Sequence, residues 1–208
     1  MKKVFILLFP QKEYLGTRQN NTFLFNECIK ERYISKGYEF FVVKFKGSDL
    51  GIISLTPNQI IDADISFEQS SPVTSKNWRY ANFNIIANQL NINNYEQVVL
   101  GGFHCFDCVE KLANEIFHLN NNILVDTDLT EQFWNVAQYQ TDWDIREFKP
   151  EQKLERVLSL DDYTPIEILK KIKKRYENPI WGMSDETMKK IEDKIKLQIE
   201  DESSMLNK

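Results

Sequence analysis

Apolar residues fall in short dense runs that alternate with longer polar stretches of helical spacing, a pattern that predicts β-α-β units. Residues 2–9 form an apolar run that Pro10 ends, as a central parallel strand should. Residues 20–36 follow with Phe23, Phe25, Cys28, Ile29 and Tyr33 mostly at helical spacing, and Gly37 supplies the usual stop. Residues 38–45 are dense in aromatic and β-branched side chains and read as a second strand. The stretch 47–75 is irregular and holds Pro57 and Pro72, with a short strand expected at 60–65. A short helix is expected at 82–90, a third central strand at 97–100 and a helix from about 107 to 119. A fourth strand is expected at 123–125, and a helix at 131–139.

The fold class that follows is α/β: three layers around a parallel sheet of five or six strands. Ligands in such sheets bind beyond the carboxyl ends of the strands. Asp62, the turn at 102–108 and Asp126 lie at or near those ends. After residue 148 the pattern changes to amphipathic helices, so the chain divides into an α/β domain at 1–148 and a helical extension at 149–208. Thr164, Pro165 and Glu167 form a capping box with proline at the first helical position. Ser184 precedes a last helix with Met188, Ile191, Ile195 and Ile199 on one face. That face packs on its own domain or on a partner subunit, which makes a homo-oligomer through these helices one expectation.

Charge narrows the function. The net charge of −5 gives no surplus of Lys and Arg to meet phosphate, so a nucleic-acid partner is not expected. The lysines between 170 and 174 read as a solvated helix face. The run at 4–9 is too short to cross a membrane and no cleavage site follows it, so the expectation is a cytoplasmic protein without a membrane partner. Three cysteines do not make a disulfide framework.

From Val98 to Ala113 the chain reads Val-Val-Leu-Gly-Gly-Phe-His-Cys-Phe-Asp-Cys-Val-Glu-Lys-Leu-Ala, a strand, a glycine turn and a helix start. Cys108 falls in the first helical turn, where N–H groups and the helix dipole favour a thiolate and a neighbouring oxyanion. This segment resembles the isochorismatase-like cysteine hydrolases. The spacing of Gly102, Cys108, Val109 and Ala113 is similar to theirs, with Cys105 where that family usually has Thr. Ser75 to Phe83, containing Lys76, Trp78, Arg79 and Ala81, resembles the family's lysine element. The first strand and the run from Gln11 to Tyr14 resemble its opening. The resemblance implies a small-molecule ligand with no cofactor and no metal, Cys108 as nucleophile and Lys76 as the catalytic lysine. It further implies a substrate pocket near His104, Cys105, Trp78 and Phe83. The family's general-base Asp is replaced by Phe9, which can neither take a proton nor activate water.

Three functions therefore stand as expectations. The first is hydrolysis of a small amide or related acyl compound by Cys108, with another carboxylate in place of the missing base. Glu13, Asp62, Asp107 and Asp126 are the acids near strand ends, although each reads more simply as a solvated or capping group. The second is a degenerate member that binds a metabolite or a protein partner. The third is thiol–disulfide exchange by the Cys105–Cys108 pair, although no proline before a later strand completes a thioredoxin-like site. One CxxC with His104 and His118 lacks the second ligand pair of a structural zinc site. The two Asp-x-Asp pairs, at 62–64 and 126–128, read as turn residues, His118 as a surface residue and Cys28 as core.

Overall fold

The computed structural model describes residues 2–11, 22–50, 53–67, 79–102, 105–126, 129–130, 164–182 and 184–206. The expected helix at 131–139 lies outside them. Five parallel strands form the central sheet: β1 (Lys2–Leu8), β2 (Tyr38–Phe45), β3 (Gln59–Ala63), β6 (Tyr95–Gly102) and β7 (Ile123–Val125), in the spatial order β3-β2-β1-β6-β7. The α/β class with a parallel sheet is therefore present. Val4 to Leu8 are wholly buried because β1 has a strand on each side and helices over both faces.

The helix at 20–36 is shorter than its periodicity suggests. Helix α1 is Thr22–Arg32; Tyr33 leaves helical geometry, and a 3-10 turn, Ile34–Lys36, closes on Gly37 at φ +79°. The amide of Gly37 donates to the Ile34 carbonyl, so glycine ends the segment as expected. The cause of the break is Tyr33 itself, which is buried and stacked on Phe5 at 4.2 Å.

The strand expected at 60–65 is two strands. β3 pairs in parallel with β2, whereas β4 (Ile65–Phe67) pairs antiparallel with β5 (Arg79–Ala81) in a separate sheet. Asn82 caps α2 (Phe83–Gln89), its side chain accepting from the Ile85 amide at 3.1 Å. Asn120, which ends the helix α3 (Glu110–Leu119), is buried and donates to the carbonyls of Ile92 and Tyr95. Its amide thus joins α3 to the entry of β6.

The tail is helix α4 (Pro165–Tyr176), a 3-10 turn (Pro179–Trp181) and helix α5 (Asp185–Leu206). The capping box forms: Thr164 N and Oγ1 donate to Glu167, and the Glu167 amide returns the bond. Ile172, Ile180, Trp181, Met188, Ile191 and Ile195 are buried in the same core as β6, α3 and β7. The apolar stripe of the tail therefore packs within the chain. Among the described residues no helix is long and apolar enough to cross a membrane.

Candidate functional site

The order of the sheet fixes where a ligand can sit. From β1 the chain steps outward through β2 to β3, then returns to the other side of β1 for β6 and β7. Connections leave β1 and β6 in opposite directions, and parallel sheets of this topology bind ligands beyond the carboxyl ends of two such strands. Leu8 pairs with Gly102 across that end. Phe9 follows on one side and the Cys105–Val109 turn on the other.

On the β1 side, Phe9 has φ +54°. A bulky side chain in the left-handed region costs on the order of 1–3 kcal/mol and persists only where neighbours impose it. Here the Phe9 amide donates to the Val43 carbonyl at 2.7 Å, and its buried ring stacks on Phe45 at 4.3 Å and 10°. Two residues on, Gln11 is buried and its Oε1 accepts from the Phe45 amide at 3.3 Å. The turn after β1 is thus tied back to β2, with the Phe9 ring buried in it.

The two glycines of β6 are not a turn, as the sequence suggests, but the last residues of the strand. A Cβ on Gly102, at φ +127°, would lie 2.1 Å from the Leu8 carbonyl oxygen. One on Gly101 would lie 2.7 Å from the Leu129 carbonyl oxygen and 3.2 Å from the Phe5 ring. Both are required by close backbone approach. The Cys105–Val109 turn then winds as a π-helix into α3. Such turns are rare and recur at functional sites. Its leading N–H groups lie at the start of a helix, which favours an anion there.

Cys108 is buried, with 8% of its surface exposed. Asp107 beside it pairs with Lys111 at 2.6 Å. Glu110 lies 3.8 Å from Arg175 of α4, and burial pushes its carboxyl up while the Arg175 and Lys174 charges pull it down. Phe83 is half-buried against the core at the start of α2, which runs beside α3. Phe9 and the Cys105–Val109 turn, with Cys108 in it, therefore follow the same end of the sheet, and Phe83 begins the helix packed beside α3. His104, Lys76, Trp78 and Glu13 lie outside the described residues.

Asp126 overturns an expectation. It is not a solvated or capping acid but wholly buried, with Arg32 Nη1 donating to its oxygens at 3.1 and 2.9 Å. The Tyr33 hydroxyl donates to it at 2.6 Å. Burial, followed by the Asp126 charge, holds the Tyr33 phenol well above its ordinary range. The acid that ends β7 is thus committed to a structural ion pair. Arg32, Tyr33 and Gln11 were not visible as partners in the sequence. The available signal was that Asp126 continues an all-apolar strand without a break. Asp62 is exposed and pairs with Lys44 at 2.7 Å, and His118 is on the surface. Cys28 is core, 2% exposed. Among the described residues no group of three or more His, Cys, Asp or Glu is placed to hold a metal ion.

An open groove of about 380 Å³ lies at the opposite end of the sheet, lined by Lys3, Glu96, Gln97, Asn122, Leu124 and Pro179 among others. It is far from the switch point and shares no residue with it. Set against known protein families, curated proteins and solved structures, the chain matches none, so the reading of its site rests on sequence and geometry.

Proposed function

We propose that the chain binds a small molecule carrying a carbonyl or carboxylate group in the crevice between β1 and β6, on an isochorismatase-like plan that lacks its general base. The observation that carries this reading is the position of the Cys105–Val109 turn at the switch point of the sheet, opposite Phe9. A helix start offers N–H donors to an oxyanion or carboxylate, and the buried Phe9–Phe45 stack leaves the β1 side of that end without a charged group of its own. Three of the four acids that might replace the base are otherwise engaged: Asp126 with Arg32, Asp107 with Lys111 and Asp62 with Lys44.

A second reading, hydrolysis, is favoured by the placement of Cys108 near the helix start. Its sulfur would attack the carbonyl carbon of a small amide, the turn's N–H groups would hold the oxyanion, and the amine would leave with a proton. Water would then cleave the thioester. Lys76 would stabilise the thiolate.

Thermal shift and hydrolysis assays on one panel of small amides, esters and carboxylates separate the two. For binding, at least one compound raises the melting temperature of the protein and of Cys108→Ser alike, with no turnover. For hydrolysis, turnover is abolished by Cys108→Ala and weakened by Lys76→Ala. A panel that neither shifts melting nor turns over would sink both. A reversible Cys105–Cys108 disulfide at cytosolic potentials would instead support thiol–disulfide exchange.

A further inference from the structure

Helix α3, which carries the Cys108 turn at its start, is held from both sides. On one side Asn84 of α2 donates to Glu115 at 3.3 Å. On the other, two contacts reach it from the tail: Arg175, in the last turn of α4, lies 3.8 Å from Glu110, and Asn178 donates to Asn114 at 3.0 Å. Glu110 and Asn114 are four residues apart and so share one face of α3. Glu110 follows Cys108 by two positions and points to the other side of the helix. Beneath these polar contacts, Ile180 and Trp181 are buried and pack on β7 and α3. In turn, α5 supports α4 through Lys173–Glu192 at 2.7 Å.

We propose that Arg175 and Asn178 are positioning residues for the Cys108 turn, and that the tail is a working part of the site. The tail presses the first two turns of α3 against β6 and β7 from the side opposite Cys108. That fixes the pitch at which the π-turn meets the helix, and it keeps Cys108 nearly closed to solvent. Neither residue touches a ligand. The charges around the Glu110 end of this contact are Asp107 in the turn before it, Lys111 on its own helix, and Lys174 and Arg175 from α4.

The proposal rests on the Cys108 turn being the working surface, but its test needs no ligand, so a chain that bound nothing would still return an answer. The full-length protein is labelled with iodoacetamide over a range of pH, and each cysteine is read by peptide mass spectrometry. Cys28, buried on α1 across the sheet, is the internal control. Arg175→Ala and Asn178→Ala should each speed labelling of Cys108 at high pH by about tenfold, the effect expected when one contact is taken from a locally closed state. The Cys28 rate should stay unchanged, and Arg175→Lys should recover most of the protection. An unchanged Cys108 rate would overturn the proposal. So would parallel acceleration of Cys28 and Cys108, because that reports global unfolding. If Arg175→Ala proves too unstable to purify, Asn178→Asp, which keeps the size of the side chain, gives the same comparison.

Discussion

Asp126, Arg32 and Tyr33 show how far a single buried charge reaches. The Asp126 carboxylate accepts from Arg32, the last residue of α1, and from Tyr33 just after it, and its own amide and carbonyl bond to Leu100 and Leu129. One residue thus joins α1, β6 and the segment after β7. A buried pair of this kind is worth little against an apolar replacement, but removing one partner strands the other in a medium that cannot solvate it. Asp126→Asn should therefore cost about 3–5 kcal/mol, with Arg32 left as an uncompensated cation. The double variant Arg32→Met with Asp126→Leu should cost far less than the sum of the two single changes. Urea denaturation of the four proteins measures the coupling. Additive costs would mean that the ion pair is solvated in solution.

Elements were legible where local chemistry decides and obscure where a distant partner does. The bounds of β2 and β7 agree with the sequence reading, since apolar runs ended by polar residues say where a buried strand stops. The capping box of α4 was legible because all its atoms lie within four residues. By contrast, the early end of α1 depends on Tyr33 meeting Asp126, 93 positions away. The glycines of β6 were legible as special but not for the right reason: they serve not a turn but the close passage of Leu8 and Leu129. The site divides the same way. A helix start after β6 was legible from the local spacing, while the stacking of Phe9 on Phe45 needed the register of β1 and β2. Gly102→Ala tests the close-approach account. A Cβ 2.1 Å from the Leu8 carbonyl cannot fit unless the last rung between β1 and β6 opens. The variant should lose more than about 4 kcal/mol, whereas Gly47→Ala, with open space around the same Cβ, should lose only the roughly 1–2 kcal/mol of a strained φ.

At the scale of the molecule, three tyrosines couple the fold to alkaline pH. Burial, then the Asp126 charge, raises Tyr33; burial, then Glu96, raises Tyr38; burial, then the bond to Glu39, raises Tyr95. Each phenol keeps its proton in the folded chain above the ordinary value of 10, where the unfolded chain has lost it. Their contribution is therefore whole below pH 10 and falls as pH rises through the folded values. Glu39 acts at the other end. The hydrogen bond from Tyr95 and the nearby Lys2 lower its pKa, so its contribution is present above its ordinary value of 4.5 and is lost as pH falls through the folded one. Tyr33 is the wholly buried member, and Tyr33→Phe keeps its stack on Phe5 while removing the ionisable group. The variant should be less stable at pH 8 by roughly 1.5–3 kcal/mol, the worth of a hydrogen bond to a charged acceptor. Above pH 10 its stability should fall less steeply than that of the parent protein, by about 1.4 kcal/mol per pH unit. Growing negative charge repels itself in both proteins alike, so the difference in slope isolates the phenol. Denaturant midpoints between pH 8 and 11 supply both numbers. Parallel curves would mean that Tyr33 ionises as freely in the folded chain as in the unfolded one, and that the ring is not sealed beneath α1.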